Sequence, residues 1–166
     1  MRLAPKSFLP VLLIAATPGH GQEPPLDTLY DLLCGQTIHV FYGSAGNQIE
    51  YLDPDGTSYF WNSGRSDVIQ GQWRIAEGEA GPSAICFQYA PGSLRPTHDG
   101  EEFCLEGAWF ITTFVEDGLR PGDPYNLQSG TPPFVMQPVP AMDVDRLRAL
   151  YPDRGDGGRC TPLLSS

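Results

Sequence analysis

Apolar and polar residues alternate along most of the chain with a period of two, which is typical of β-strands that bury one face. Within residues 69–76, for example, Ile69, Trp73 and Ile75 share one side with Gly71. Six stretches follow this pattern and are predicted strands: TIHVFY, NQIEYL, TSYFWN, VIQGQWRIA, AICFQYA and EEFCLEG; a seventh strand is predicted in AWFITTFVEDG. The last stretch is apolar on both sides, so we expect a central or well-covered strand there.

The clearest turn is the segment Asp53–Gly56. Pro54 suits position i+1 of a type I turn, and Gly56 suits the left-handed residue that follows it. The segment therefore predicts a hairpin with a three-residue loop. Its two aspartates suggest calcium as an alternative, but the loop lacks the regularly spaced oxygen ligands and the terminal glutamate of a calcium loop.

Pairing the two strands across this turn sets Tyr51 against Tyr59 and Ile49 against Trp61. These residues share one face, and aromatic or β-branched cross-strand pairs stabilise sheets. We expect this face to line a core, because aromatic residues in hairpins are buried more often than displayed. The alternative is a ligand-binding platform formed by Tyr51, Tyr59 and Trp61.

Helical spacing is confined to the two ends of the domain. It predicts one short helix in LDTLYDLL and another in VDRLRALY, which Pro152 ends. Before the second helix, the proline-rich LRPGDPYNLQSGTPPFVMQPVP predicts a surface loop or a strap across the sheet, extended only at FVMQ. The predicted fold is mainly β: an antiparallel curved sheet or small (half-)barrel with short N- and C-terminal helices.

The N-terminus has the order of a secretory signal peptide. Arg2 and Lys6 precede an apolar run over residues 8–16 and then small, turn-forming residues. The run is much shorter than the roughly 20 residues that span a bilayer. We therefore expect residues 1–21 to be a signal peptide, cleaved between Ala16 and Gly21, and the protein to be periplasmic or secreted.

Cleavage leaves one β-rich domain over residues 22–152 and a tail over residues 153–166. It removes two cations and no acid, so the formal charge moves from −10 to −12, and no lysine remains. Such a chain repels phosphate backbones and anionic lipids, which argues against nucleic-acid or membrane-surface binding. Schiff-base chemistry is excluded as well, since it needs a lysine amine. Solubility is the simplest role of the acidity.

The four cysteines predict two disulfides. Cys86 and Cys104 fall on the polar face of two strands that a short loop makes antiparallel neighbours, within bonding distance. Cys34 and Cys160 remain, and their bond would pin the C-terminal tail. Zinc is a weaker alternative, because His98 is the single histidine near the first pair. A redox or nucleophilic cysteine is the other alternative.

Candidate catalytic groups are few. The sequence contains no G-x-S-x-G elbow. His39 could act as a base, although a strand histidine with a structural hydrogen bond is commoner. Its carboxylate partner would be Glu50 or Glu102, and Glu102 with Glu106 could form a hydrolase pair. No cofactor or metal is predicted.

The turn PDG, the strand GQWRI and the later ICF and CLE together resemble a group of small exported bacterial domains without an established activity. Gly71-x-Trp73 is also similar to the signature of lipocalin barrels. In lipocalins this element lies on the first strand, whereas three predicted strands precede it here. The simplest interpretation of the motif is a core tryptophan beside a glycine that permits close packing.

These observations predict an exported, disulfide-stabilised, non-catalytic binding or interaction module. Its partner would be a small molecule or an envelope protein. The alternatives are a small hydrolase that uses His39 with a carboxylate, and a structural envelope component. A pocket that joins His39 to a carboxylate would favour the hydrolase, and a surface without any cavity would favour the structural component.

Overall fold

The computed structural model describes residues 24–93, 99–115, 118–153 and 160. In this part of the chain, seven antiparallel strands form one curled half-barrel sheet with three short α-helices, which confirms the predicted fold class. The predicted signal peptide, His98 and most of the C-terminal tail lie outside the described residues. None of the described helices has the length and apolar character to cross a membrane.

The elements follow one another closely along the chain. The helices are α1 (Leu26–Leu33), α2 (Gly107–Phe110), which a π-helical turn (Ile111–Val115) continues, and α3 (Val144–Leu150). The strands are β1 (Gln36–Tyr42), β2 (Gly46–Leu52), β3 (Thr57–Asn62), β4 (Ile69–Ala76), β5 (Ala84–Tyr89), β6 (Phe103–Glu106) and β7 (Leu119–Pro121). Short 3-10 turns occupy Gly43–Ala45 and Leu127–Ser129.

The sheet has the order β6-β5-β4-β3-β2-β1-β7. Each strand from β1 to β5 pairs with the next one in the chain, and β7 returns to the free edge of β1. The turn between β2 and β3 has the predicted geometry, since Gly56 has φ +89° and the Asp53 amide donates to the Thr57 carbonyl over 2.9 Å. The predicted pairs Tyr51–Tyr59 and Ile49–Trp61 are therefore in register.

Alternate residues of the strands enter two separate cores, one on each face of the sheet. On the first face, α1 packs on β4, where the Tyr30 ring stacks on Trp73 with 5.6 Å between centroids. The Trp73 indole donates to the Asp53 carbonyl over 2.8 Å. The opposite core contains six buried apolar side chains: Ile49, Tyr51, Trp61, Tyr125, Leu127 and Met136.

A strap over residues 122–142 covers this second core. Asn47 at the start of β2 holds it through three hydrogen bonds. The Asn47 side-chain amide donates to the carbonyls of Gln137 and Pro140 over 2.8 and 2.9 Å, and its oxygen accepts from the Met142 amide. The proline-rich segment is therefore a strap, one of the two forms that its composition predicts. The short strand β7, which precedes the strap, was missed because it is only three residues long and ends at a proline.

The prediction of a strand over AWFITTFVEDG is wrong. Gly107 turns the chain away from β6, since its amide donates to the Ser83 carbonyl over 2.8 Å and a Cβ there would lie 2.9 Å from Leu29. The chain then forms α2 and the π-helical turn, and Phe110 and Phe114 contact each other at helical spacing. Because the stretch is apolar on both sides, its pattern does not distinguish a covered strand from a helix. We call residues 107–115 the crossing segment.

Two disulfides join the pairs that the sequence analysis proposed. Cys86 and Cys104 are directly opposed on β5 and β6, with Cα atoms 4.0 Å apart. Cys34, directly after α1, is bonded to Cys160, with Cα atoms 5.9 Å apart. These bonds are compatible with an oxidising compartment. The described cysteines are therefore not free to ligate zinc or to act as nucleophiles.

The contribution of the second core to stability can be tested at Trp61. Trp61 is completely buried, and its ring contacts Phe134 with 4.8 Å between centroids. Trp61→Ala should lower the free energy of unfolding by about 3–5 kcal/mol, because it removes a large buried aromatic side chain. Urea unfolding monitored by circular dichroism measures the change.

Trp109→Ala is the matched control, because Trp109 lies on the crossing segment with 45% of its surface exposed. It should cost about 1 kcal/mol or less. A Trp61→Ala protein as stable as the Trp109→Ala protein would contradict the assignment of Trp61 to the core.

Candidate functional site

The first face of the sheet carries a half-open cavity of about 170 Å³. Ile38 on β1 and Leu105 on β6 both line it, although five strand spacings separate β1 from β6 in the sheet. Neighbouring strands lie about 4.8 Å apart, so a flat sheet would keep these side chains more than about 20 Å apart. The sheet therefore curls toward this face, which we call the concave face. The lining residues are Ile38, Val40, Gln48, Glu50, Phe60, Phe87, Tyr89, Phe103, Leu105, Phe110 and Phe114.

The crossing segment forms the part of the cavity wall that faces the sheet. It leads from β6, one edge of the sheet, to β7, the other edge, and it contacts β1 on its way. Phe110 and Phe114 are the side chains that it contributes to the lining. A change in this segment would therefore alter the cavity without breaking the hydrogen bonds of the sheet.

One acid lies in this apolar wall. Glu50 on β2 stands between Ile38 on β1 and Phe60 on β3, its two directly opposed neighbours. Its Oε1 atom accepts hydrogen bonds from the Ser58 hydroxyl and the Tyr89 hydroxyl. These two hydroxyl oxygens are 3.1 Å from each other. Glu50, Ser58 and Tyr89 thus form a compact polar cluster, which we call the Glu50 cluster.

The cluster depends on Gly71 in the G-x-W motif. Ser58, Gly71 and Tyr89 are directly opposed on three consecutive strands, β3, β4 and β5. A Cβ atom at Gly71 would lie 2.4 Å from the Tyr89 ring, which shows that the ring passes directly over the glycine. Only a residue without a side chain lets Tyr89 cross β4 and bring its hydroxyl to Glu50.

Burial changes the acidity of the cluster. Partial burial raises the pKa of the Glu50 carboxyl from 4.5 to about 6, although the hydrogen bonds from Ser58 and Tyr89 act in the opposite direction. Burial, and then the charge of Glu50, raise the pKa of the Tyr89 hydroxyl well above 10. Tyr89 therefore stays protonated and remains a hydrogen-bond donor at every physiological pH.

His39 does not join this cluster. It is opposed to Ile49 and therefore points to the strap side of the sheet, whereas Glu50 points to the concave face. Burial, followed by the charge of Arg120, lowers the pKa of His39 to about 3, so the imidazole is neutral. Neither of its ring nitrogens has a hydrogen-bond partner among the described residues. The pairing of His39 with Glu50, one of the two pairings proposed for a hydrolase, is therefore absent from this geometry.

The other two acids proposed for catalysis have structural partners. Glu102 forms a two-pronged ion pair with Arg74 at the surface, with N–O distances of 2.7 and 2.6 Å. Glu106 accepts hydrogen bonds from the backbone amides of Glu79 and Ala80 over 2.9 and 3.1 Å, which fixes the turn before β5. Neither carboxylate lines the cavity.

The aromatic hairpin side chains lie away from the cavity. Trp61 and Tyr51 are buried beneath the strap, and Tyr59 is partly buried beside them. In the neighbouring turn, the side chain of Asp53 accepts a hydrogen bond from Gln128, and that of Asp55 accepts one from the Thr57 amide. The residues proposed for a ligand platform thus occupy a core.

Sequence reasoning missed the site because Gln48 and Glu50 alternate with Ile49 and Tyr51, which makes their side of β2 look solvent-exposed. The register between β1 and β2 contains the information that would have identified the site. It places Glu50 opposite Ile38, an apolar residue of β1. An acid with apolar neighbours on both adjacent strands is unusual on a wet face and marks a buried polar site.

Fold and cavity together define a β half-barrel with an internal, acid-containing cavity. No protein-family model, curated protein or solved structure matches the chain. The geometry of the cavity is therefore the feature that bears on function.

The raised pKa of Glu50 predicts an unusual dependence of stability on pH. Because the folded protein binds the Glu50 proton more tightly than the unfolded chain does, this group lowers the free energy of unfolding as pH rises from about 4.5 to about 6. The loss amounts to about 2 kcal/mol and persists above that interval. Glu50→Gln should remove the loss and stabilise the protein by about 1–2 kcal/mol at pH 7.5.

Urea unfolding between pH 4 and pH 8 measures this difference. Glu77→Gln is the control, because it removes an equal charge from an exposed side chain and should change stability by less than about 0.5 kcal/mol. If the stability of the wild-type protein rises relative to Glu50→Gln between pH 4.5 and pH 6.5, the carboxyl is not destabilised by burial.

Proposed function

We propose that the protein is an exported, disulfide-stabilised binding module whose concave-face cavity holds a small, largely apolar molecule. The observation that carries this proposal is an apolar cavity with one partly buried carboxyl group in its wall. Ligand sites typically combine apolar walls with a few polar groups that fix orientation.

The size of the cavity limits the ligand. Sites for drug-sized molecules have volumes of about 300–1,000 Å³, and this cavity has about 170 Å³. An apolar protein cavity of about 150 Å³ takes a molecule the size of benzene. The ligand, or the part of it that enters, therefore has about six to eight non-hydrogen atoms.

The energetics of Glu50 support binding over a purely structural role. A core made for stability alone gains nothing from a carboxyl group whose ionisation burial disfavours. The hydrogen bonds from Ser58 and Tyr89 offset only part of that cost, since the pKa remains raised. A ligand that interacts with the carboxylate would offset the rest. The cavity likewise argues against the structural envelope component, which would need no enclosed space.

The compartment we propose is the periplasm or the cell exterior. The charge and apolar order of residues 1–21 support a signal peptide, and the two disulfides suit an oxidising environment. The mature protein would then comprise the β-rich domain and the tail that Cys160 attaches. An envelope protein is a second class of partner, but no surface feature of the described residues favours it over the cavity.

Filling the cavity tests the binding function. Leu105 lines the cavity from β6, an edge strand that tolerates a larger side chain better than the sheet centre. Leu105→Trp should weaken the binding of toluene and benzyl alcohol at least tenfold, because the indole occupies the ligand volume. Nuclear magnetic resonance titration, followed at the amides of β5 and β6, measures both affinities.

Leu150→Trp is the matched control, since it makes the same change on α3, where Leu150 is 63% exposed and outside the cavity. It should bind both probes like the wild-type protein. If toluene, benzyl alcohol and benzylamine all leave the wild-type resonances of β5 and β6 unchanged up to millimolar concentrations, the proposed cavity function is wrong.

A further inference from the structure

The charge of the Glu50 carboxylate has no positive counterpart among the described residues that line the cavity. Both hydrogen bonds that Glu50 accepts from described residues go to Oε1, which leaves Oε2 without a donor among them. The donors are neutral hydroxyls, and the eleven residues that line the cavity include no arginine, histidine or lysine. A partly buried carboxylate is stabilised by a positive partner, and the described residues that line the cavity do not supply one.

The rest of the cavity wall also favours a cation. Six of the eleven lining residues are aromatic. The rings of Phe87, Tyr89 and Phe103 contact one another, with centroids 5.8 to 6.4 Å apart, and form a continuous aromatic wall beside Glu50. Aromatic faces carry partial negative charge and attract ammonium groups, most strongly where water is excluded.

The acidic surface of the protein also favours a cationic ligand, and it acts over a longer range than the cavity wall. The chain carries 20 acids against 10 basic residues, for a formal net charge of −10. Such a field raises the local concentration of cations and repels anions. A fatty acid or another carboxylate would meet repulsion both at the surface and at Glu50.

We propose that the ligand is a small organic amine, bound in its protonated form with the ammonium group on Glu50 and the apolar group among the aromatic rings. This inference rests on the proposed binding function and names its ligand class. Oε2 accepts from the ammonium group, while Ser58 and Tyr89 keep Oε1 in place. Toluene lacks a group for this contact, and benzyl alcohol supplies a neutral donor in place of a charge.

The proposal includes a pH dependence. The polar groups that face Glu50 are Gln48 from its own strand, Ser58 from β3 and Tyr89 from β5. The side chains that β1 and the crossing segment contribute to the cavity are apolar. Glu50 is therefore the group that titrates, with a pKa of about 6. Between pH 7.5 and pH 5, an amine that needs the carboxylate should lose affinity about tenfold, because most of Glu50 becomes protonated.

The experiment compares benzylamine, benzyl alcohol and toluene, which have similar size and shape. At pH 7.5, benzylamine should bind the wild-type protein at least tenfold more tightly than benzyl alcohol does, and this advantage should disappear in Glu50→Gln. Lowering the pH to 5 should weaken benzylamine about tenfold and leave benzyl alcohol unchanged. Glu77→Gln is the charge-matched control and should keep the preference for the amine.

The outcomes separate the two proposals. If benzyl alcohol and toluene bind as tightly as benzylamine and the pH has no effect, the cavity function stands and the amine inference is overturned. If none of the three probes binds, both are overturned. The pH profile of the wild-type protein needs no variant, so the test remains decisive even if Glu50→Gln does not fold.

Discussion

The pleat of β1, β2 and β3 determines which of the two cores each side chain of these strands enters. Successive residues of a strand point to opposite faces, so Glu50 and Ile49 belong to different cores although they are adjacent in sequence. The same rule separates His39 from Glu50 by the thickness of the sheet. A one-residue shift of β2 against β1 would place the carboxyl under the strap, on the same face as His39. The hairpin turn, with Gly56 in its left-handed conformation, fixes the register between β2 and β3.

Much of this architecture could be predicted from the sequence. The Asp53–Gly56 turn predicts the correct pairs across the hairpin, and strand parity brings Cys86 and Cys104 together. The crossing segment could not be predicted, because a stretch that is apolar on every side has no period that distinguishes a strand from a helix. Its helical form depends on contacts with residues far away in sequence, such as that of the Gly107 amide with Ser83.

The functional site was missed for a related reason. Alternation identifies which residues share a face, but not which face the sheet curls toward. On β2, the side that carries Gln48 and Glu50 looks polar, although it forms part of the concave wall. Gly71 gave a partial signal, since a glycine in a strand interior indicates the close approach of another group. The sequence did not identify Tyr89 as that group, because the interaction requires three strands in register.

The bond between Cys34 and Cys160 has a topological consequence. It encloses β1 through α3, the whole sheet and the strap in one covalent ring, with a sequence separation of 126 residues. A single peptide-bond cleavage within this ring, for example beside the exposed Val139 of the strap, would leave both fragments attached to each other. Cleavage would create a new N-terminus and a new C-terminus without releasing a fragment. In a protease-rich environment the molecule would thus tolerate nicking, and a cut strap could return to its place because it cannot diffuse away.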